Sequence, residues 1–329
     1  MELGEVSKLV TIIIPIYNLD KYLYRCLKSV QDQDYKDIEV ILIDDGSTDK
    51  SKDICREFLN SDNRFKYFFQ QNSGVSKARN YGIYQAQGTF LTFVDGDDYL
   101  EPDHISSMVH GMSNANVDVV ISGRRIITAN TENELMIASE EQFRTQEELI
   151  KDSFSQLVYG YIWNKLYKTK IIKDNHIFFL ESLSFAEDQV FNISYFKCSA
   201  GGFILDKATY NYVRRQDSLT KGRTKSAIEG RLTMLKASKI VIDLLKDSNQ
   251  YQEQIKFLYF KIARDASTDY SFMSQLPFSK QEMEDCKETA LDAYKRSYDY
   301  MSVTQKARIK MYLTFPKTVR NVIKIIKNK

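Results

Sequence analysis

The chain has 329 residues, long enough for two domains or for one large domain with an extension, and 43% of them are hydrophobic. Together with 27% charged residues, this composition is that of a soluble globular protein with a sizeable core, and it excludes wholesale disorder. The net charge of +2 conceals eight basic residues and no acid between Lys306 and Lys329, so the preceding residues carry 38 basic and 44 acidic side chains. A mildly acidic body excludes a general nucleic-acid binder, whose basic face would lie on the fold itself.

The location expected for the protein follows from two absences in its sequence. No secretory signal opens the chain, because the apolar run at 10–16 is short and contains a proline near its end. No apolar stretch approaches the roughly 20 residues that a membrane-spanning helix needs. We therefore expect a cytoplasmic protein.

Strands and helices are predicted to alternate through about the first 127 residues. Apolar, β-branched runs predict the strands, and apolar residues at helical spacing predict the helices between them. The predicted elements are a strand at 10–16, a helix with Leu23, Cys26, Leu27 and Val30 on one face, a strand at 38–43, a helix after Asp49, a strand at 64–69, a helix at 76–86 and a strand that ends at Val94. This order predicts an α/β fold with a doubly wound, mostly parallel sheet, flanked by helices, that binds ligands at the carboxyl ends of its strands.

The second half of the chain predicts irregular structure first and helices at the end. Residues 128–155 are polar and irregular, whereas 187–197 predict a helix and 201–213 predict a strand. From about Lys225 onward helical periodicity dominates. We therefore predict a first domain at 1–220, with halves at about 8–125 and 126–220, and an all-helical region at 221–329.

The most informative motif is Asp-Gly-Asp-Asp at 95–98, directly after the apolar run at 89–94. Three carboxylates within four residues at the end of a buried strand repel one another unless a cation lies among them. Such oxygens suit Mg²⁺ or Mn²⁺, and these ions suit a diphosphate. A surface turn with solvated acids is the alternative, and the motif alone leaves both interpretations open.

Three further motifs lie at predicted strand ends, at residues 15–18, 44–49 and 73–80. A carboxylate at such an end can accept the N3–H of a uracil base, and an aromatic ring such as that of Tyr17 can stack on it. Lys77 and Arg79, in the first turns of a helix, make an end that attracts anions. Solvated basic side chains at a helix start explain the third motif equally well.

In this order and spacing, the four motifs resemble those of the family-2 glycosyltransferases, which have a GT-A fold. The matching stretch runs from about Val10 to Asp103. The resemblance implies a nucleotide-sugar donor, usually a UDP-sugar, a Mn²⁺ or Mg²⁺ ion, inversion at the anomeric carbon, and a donor half that precedes an acceptor half. The donor-binding residues that we predict are Pro15, Tyr17, Asp45, Lys77, Arg79, Asp95 and Gly96, with the uracil on Asp45 and the metal on Asp97 and Asp95.

Inversion requires a general base that takes the proton from the acceptor hydroxyl. In the family this base is a carboxylate, often in a Glu-Asp pair at a helix start, which points to Asp188 with Glu187 beside it as a neighbour or acceptor contact. Two adjacent carboxylates disfavour joint ionisation, which can raise one pKa into a useful range. The alternative is that these acids merely complement the helix dipole, which is worth about 0.3–1 kcal/mol.

The resulting hypothesis is an inverting, metal-dependent transferase that passes a hexose or N-acetylhexosamine to a lipid-linked or protein-linked glycan acceptor in cell-surface polysaccharide or glycoprotein synthesis. A nucleotidyltransferase also combines an α/β sheet with an acidic metal site. However, residues 15–20 lack the glycine-rich phosphate loop of that class. The non-enzymatic alternative is a silent nucleotide-sugar-binding assembly subunit.

The end of the chain, after Pro316, predicts a basic amphipathic helix. Its apolar positions are Val319, Val322, Ile323 and Ile326, and its basic positions on a different face are Arg320, Lys324 and Lys327. Such a helix can lie on the anionic inner face of the cell membrane, where a lipid-linked acceptor would be found. Docking of the apolar face on its own domain, or on another subunit of a homo-oligomer, is the slightly favoured alternative.

Overall fold

The computed structural model describes residues 8–128, 134–155, 158, 160–214, 224–273 and 276–315. The chain divides into two compact units. The first comprises Met1–Glu181 and Glu187–Gln216, and the second comprises Ser182–Ala186 and Asp217–Lys329. The domain boundary near residue 220 stays a prediction, and the amphipathic helix predicted after Pro316 lies outside the described residues.

The first unit is built on one large sheet. Its strands are β1 Val10–Ile16, β2 Ile38–Asp44, β3 Phe65–Phe69, β4 Phe90–Phe93, β5 Tyr99–Leu100, β6 Val119–Ile127, β7 Glu134–Met136, β8 Gln142–Thr145, β9 Lys165–Lys168 and β10 Gly201–Val213. They are ordered β3-β2-β1-β4-β9-β6-β10-β5, while β7 pairs with β6 and β8 pairs with β10. The pairs β3–β2, β2–β1, β1–β4 and β6–β10 are parallel. Strands β5, β7, β8 and β9 pair antiparallel with their neighbours.

Seven helices belong to the described part of this unit. They are α1 Leu23–Gln31, α2 Ser51–Ser61, α3 Val75–Gln85, α4 His104–Gly111, α5 Gln146–Asp152, α6 Thr169–Asp174 and α7 Glu187–Phe196. The predicted α/β class with flanking helices is confirmed, and the predicted donor-half elements agree with the structure to within a residue or two at most bounds. Beyond β4, however, the sheet is mixed rather than uniformly parallel.

The position of the functional site follows from the strand order. Every residue of β1 and β2 is buried, as expected of parallel strands that are covered on both faces. From β1 the chain adds β2 and β3 on one side, whereas β4 pairs on the other side. The order therefore reverses at β1, and in such sheets ligands bind in the crevice outside the carboxyl ends of the strands at this point.

The second unit is helical in its described part, as predicted. Its helices are α8 Lys225–Leu245, α9 Gln252–Met273, α10 Lys280–Arg296 and α11 Val303–Thr314, with short 3₁₀ turns at Asn249–Tyr251 and Tyr298–Tyr300. Side chains of Thr224, Ser279 and Ser302 cap α8, α10 and α11 by accepting backbone N–H groups. Helix α9 packs against the other three. Among the described helices, none is both long enough and apolar enough to span a membrane.

Candidate active site

The loops that follow β1 and β2 are joined by hydrogen bonds at the carboxyl ends of these strands. Asn18, with a left-handed φ of 52°, accepts the backbone N–H of Thr48 on its side-chain oxygen at 2.8 Å. In return the backbone N–H of Asn18 donates to Ser47 Oγ at 3.1 Å. The backbone N–H of Asp20 donates to the carboxylate of Asp49 at 2.9 Å. The ends of β1 and β2 are therefore held in a fixed relation, as a ligand that contacts both would require.

Asp45, the predicted uracil partner, lies at the end of β2 and is 5% exposed. Its Oδ1 accepts from Gln70 Nε2 at 2.7 Å and from the Ser73 backbone N–H at 2.8 Å, and its Oδ2 accepts from the Gly74 backbone N–H at 2.8 Å. A carboxylate offers about four acceptor directions, so roughly one remains for a base. Asp45 thus fixes the loop before α3 and keeps the capacity to accept one further N–H.

Position 46, next to Asp45, requires a glycine because the loop before α3 approaches it closely. Its φ is +80°, and a Cβ there would lie 2.8 Å from the backbone nitrogen of Asn72. The preceding Asp44 has a structural role, because its two oxygens accept from the Ser47 backbone N–H at 2.8 Å and from the Tyr67 hydroxyl at 2.6 Å. Asp44 is 0% exposed, whereas Asp45 is 5% exposed, so the second of the two adjacent aspartates is the one that a ligand can reach.

Tyr17 and Pro15, predicted beside the base, differ in exposure. The Tyr17 side chain is 49% exposed just past the end of β1, so its ring can stack on a planar ligand. Pro15 is buried, and its carbonyl oxygen lies 3.5 Å from the point that a Cβ on Gly96 would occupy. The same point is 2.7 Å from a methyl group of Leu19. Gly96 therefore lets the acidic loop lie against the end of β1.

The acidic loop is anchored by Asp98, which the sequence suggested only as one of three carboxylates that suit a cation. Asp98 is fully buried and accepts from the Tyr210 hydroxyl and from the Val213 backbone N–H, each at 2.8 Å. The Tyr210 oxygen in turn accepts the backbone N–H of Asp95 at 3.2 Å. Burial, together with the charges of Asp95 and Asp97, raises the pKa of Asp98 well above its usual value. Asp98 thus fastens the loop to β10 and leaves Asp95 and Asp97 as the candidate ligands.

The fit of a divalent cation can be judged from the donor atoms present. Asp97 is half-buried, and its backbone carbonyl accepts from Arg25 Nη2 at 3.1 Å. In the described ranges, no group of three or more His, Cys, Asp or Glu side chains is arranged to hold a metal ion. Mg²⁺ in phosphate-binding sites commonly uses one or two carboxylates, with phosphate and water oxygens as its other ligands. Asp95 and Asp97 fit that mode of binding, and the metal assignment stays a prediction.

Arg79 connects the acidic loop with the predicted base. Its Nη1 donates to Glu187 Oε1 and to Asp188 Oδ1, both at 2.9 Å, and its Nη2 donates to Asp95 Oδ1 at 3.0 Å. Arg79 is 4% exposed, so it is not a solvated residue at a helix start. The three carboxylates raise the pKa of Arg79 against the opposing effect of burial. The residues predicted for donor and base chemistry therefore meet at one guanidinium.

Asp188 lies in a strongly perturbed electrostatic environment. Its side chain is 20% exposed. Burial raises its pKa well above the usual value, the Arg79 charge opposes the rise, and the charges of Glu187 and Asp95 add to it. Lys165 and Tyr167, both fully buried on β9, also interact electrostatically with it. A carboxylate with a raised pKa is a stronger base, as proton abstraction near neutral pH requires.

Lys77 and Trp163 lie outside the cluster around Arg79, the first at the surface and the second in the core. Lys77 is exposed on α3, two residues before the buried Arg79, and stays a predicted donor contact. Trp163 is 2% exposed and stacks on Tyr210, with ring centroids 4.3 Å apart, and also on Tyr161 and Tyr212. The single tryptophan is therefore part of the core beneath the acidic loop.

Comparisons with known proteins identify the family of this chain. The family model described as Glycosyl transferase family 2 matches residues 11–175. The chain is 31% identical over 240 residues to the uncharacterized glycosyltransferase EpsJ of Bacillus subtilis, which covers 70% of this chain and 69% of EpsJ. It is also 30% identical over 210 residues to the poly(ribitol-phosphate) beta-N-acetylglucosaminyltransferase TarS of Staphylococcus aureus, which covers 63% of this chain and 36% of TarS.

Two solved structures share the fold. TarS 1-349 in complex with UDP-GlcNAc superimposes with a TM-score of 0.60 at 21% identity, covering 88% of this chain and 91% of that one. The mannosyltransferase PcManGT from Pyrobaculum calidifontis, in complex with GDP-Man and Mn²⁺, gives a TM-score of 0.57 at 16% identity, covering 95% and 86%. At these identities the likeness establishes the fold, and the predicted GT-A class is confirmed.

Proposed function

Because the chain belongs to glycosyltransferase family 2, we propose that it transfers a hexose or an N-acetylhexosamine from a UDP-sugar to a glycan acceptor, with inversion at the anomeric carbon. The observation that carries this proposal is the cluster around Arg79, which brings Asp95, just past the end of β4, and Asp188, in the first turn of α7, to the same guanidinium. A donor-side carboxylate and a candidate base are thus neighbours at the switch point of the sheet.

The proposed donor site lies on the loops after β1, β2 and β4. The remaining acceptor capacity of Asp45 suits the N3–H of uracil, and the exposed ring of Tyr17 suits stacking on the base. Asp97 and Asp95 would hold Mn²⁺ or Mg²⁺, which when bound would neutralise the charge that develops on the leaving diphosphate. The complex of TarS with UDP-GlcNAc supports the choice of a UDP-sugar, and that of PcManGT supports the choice of metal.

The proposed reaction is a single displacement. The acceptor hydroxyl oxygen attacks the anomeric carbon while the Asp188 carboxylate takes its proton, and the bond from that carbon to the β-phosphate oxygen breaks. The bonding electron pair leaves with UDP, and the configuration inverts because the oxygen attacks from the face opposite the leaving group. Glu187 is proposed to keep Asp188 in position or to contact the acceptor, and its hydrogen bond to the same Arg79 nitrogen supports this. The acceptor is proposed to be a cell-surface glycan, and the support for this is the similarity to TarS, a poly(ribitol-phosphate) beta-N-acetylglucosaminyltransferase.

The test is a panel of nucleotide sugars incubated with the protein and Mn²⁺ while UDP release is followed. We expect release with at least one UDP-sugar, and a loss of about 10²–10⁴-fold in Asp188→Asn, the usual contribution of a general base. Glu181→Gln is the matched control, because it makes the same carboxylate-to-amide change at an exposed position of the same unit. Full activity in Asp188→Asn would remove that residue from the role. UDP binding without turnover of any donor would favour the silent binding subunit.

A further inference from the structure

We propose that Arg79 is a positioning residue that holds the base Asp188 and the donor-side carboxylate Asp95 in a fixed relation, and that it is not a ligand of the donor diphosphate. The inference rests on the function proposed above. It replaces the role that the sequence suggested for Arg79, in which its charge at the start of α3 would attract a phosphate.

The first support is the direction of the guanidinium. Three of its N–H groups already donate to carboxylates of Asp95, Glu187 and Asp188. Its Nε atom is buried and has no hydrogen-bond partner among the described residues. With Arg79 only 4% exposed, a diphosphate that reached this guanidinium would displace three partly buried carboxylates from their cation. The charge of Arg79 is therefore committed to the protein.

The second support is the aromatic surface on which the guanidinium lies. The Arg79 guanidinium carbon lies 5.3 Å from the centre of the Phe179 ring, within the range of a cation–π contact. Phe179 stacks on Phe191, with centroids 4.4 Å apart and planes 6° apart. Phe191 is three residues after Asp188 on α7, so both side chains lie on one face of that helix. The guanidinium is thereby held against the helix that carries the base.

The third support comes from Asn80, the next residue of α3. Its side-chain amide makes two hydrogen bonds to the backbone of Phe179, donating to the carbonyl at 2.9 Å and accepting the N–H at 2.8 Å. Arg79 and Asn80 thus contact the same residue, Phe179: Arg79 contacts its ring and Asn80 its backbone. Consecutive residues of α3 therefore determine where the base side chain lies relative to Asp95.

A positioning residue and a diphosphate ligand have different kinetic effects. Loss of a diphosphate contact weakens donor binding and raises KM, because that contact exists in the ground state as well as in the transition state. Misplacement of the base lowers kcat and leaves nucleotide affinity nearly unchanged. Removal of the positive charge also raises the pKa of Asp188 further, since an opposite charge favours the ionised carboxylate. The base would then work only at higher pH.

The experiment compares Arg79→Lys and Arg79→Met with wild type, in the full chain with Mn²⁺ and the active UDP-sugar. We expect kcat in Arg79→Lys to fall about 100-fold, within the usual range for a general base. The Kd of UDP should change less than about threefold when it is measured by calorimetry without divalent cations, so that the proposed metal ligand Asp95 does not contribute. In Arg79→Met the acid limb of the kcat–pH profile moves to higher pH. Arg56→Lys is the matched control, because it makes the same change in an exposed ion pair with Asp53 on α2.

A second variant covers the case in which both Arg79 substitutions fail to fold. Phe179→Leu keeps every charge of the cluster and removes only the ring under the guanidinium, and we expect it to lower kcat with the Kd of UDP unchanged. A Kd of UDP that rises as much as kcat/KM falls would make Arg79 a diphosphate ligand and overturn the proposal, as would a wild-type kcat in Arg79→Lys. If the wild-type protein turns over no donor, both the proposed function and this inference are wrong. If the wild type is active and Arg79→Lys is unaffected, only the inference is wrong.

Discussion

The substitution Asp45→Asn separates two roles of one carboxylate, the support of a loop and the binding of a base. In the structure the two oxygens of Asp45 accept three N–H groups, from Gln70, Ser73 and Gly74. An asparagine can keep its oxygen at the position that accepts two of them. Its NH₂ group then takes the place of Oδ2, which lies 2.8 Å from the Gly74 backbone nitrogen, so two N–H donors face each other.

The cost can be worked out from these contacts. A hydrogen bond to a charged group contributes about 1.5–3 kcal/mol and a neutral one about 0.5–1.5 kcal/mol. One bond is lost in Asp45→Asn and two become neutral, so we expect the free energy of unfolding to fall by about 3.5–6 kcal/mol. If the fourth acceptor direction holds the uracil N3–H, the Kd of UDP rises by about tenfold or more, since each factor of ten corresponds to about 1.4 kcal/mol.

The assay is urea unfolding followed by tryptophan fluorescence, with calorimetry for UDP. The only tryptophan, Trp163, is buried in the first unit, so its fluorescence reports the unfolding of that unit. Asp37→Asn is the control, because Asp37 is exposed just before β2 and a surface change costs at most about 0.5 kcal/mol. A stability of Asp45→Asn equal to that of Asp37→Asn would refute the reasoning on the loop, and an unchanged Kd would refute the base contact.

Three other changes test separate parts of the first unit. Chelation of divalent cations, or Asp97→Asn, is expected to lower turnover at least about tenfold, and Mn²⁺ should restore the chelated wild type; equal rates with and without chelator would contradict the metal assignment. Gly46→Ala should lower stability in thermal unfolding by at least about 1–2 kcal/mol from its φ of +80° alone, and an unchanged midpoint would show that the loop relaxes freely. Burial lowers the pKa of His104 to about 4 from 6.5, so the unfolded chain binds the proton first as pH falls. Stability should therefore be lost between pH 6.5 and 4, by up to about 3 kcal/mol, and His104→Gln should show a smaller loss in unfolding measured across that range.

The donor half could be predicted from sequence because its strands are buried on both faces. Such strands are continuous apolar runs, as in β1 and β2, and their ends are marked by a sudden change to polar residues. Strand β9 carries no such signal, since it is short and includes Lys165 and Lys168. Lys165 is nonetheless fully buried, with its ammonium donating to backbone carbonyls of Val158 and Tyr161 and to the side chain of Asn164. Only the tertiary structure shows that this buried amine has hydrogen-bond partners.

The candidate site could likewise be predicted from sequence only in part. Parallel order predicts that motifs at strand ends converge, and the structure does join Asn18 to Thr48 and Arg79 to Asp95. The partners of Arg79 could not be predicted, because they lie 16, 108 and 109 residues away in the chain. The pattern around Arg79 is that of an ordinary helix start, and only packing decides whether the side chain turns to solvent or to carboxylates. Likewise, nothing in the motif at 95–98 distinguishes the anchoring Asp98 from its ligand-like neighbours.

The charges of the cluster themselves favour a cation-assisted donor. Asp95, Glu187 and Asp188 bring three carboxyl groups to one guanidinium, and Arg79 can offset at most one negative charge. A diphosphate that approached these groups alone would be repelled, since like charges at a few ångströms interact strongly where water is partly excluded. A divalent cation changes the sign of that interaction, because it attracts the carboxylates and the phosphate oxygens at once. The excess of negative charge that also helps to raise the pKa of Asp188, and so makes it the stronger base, is therefore the reason to expect that turnover depends on a metal.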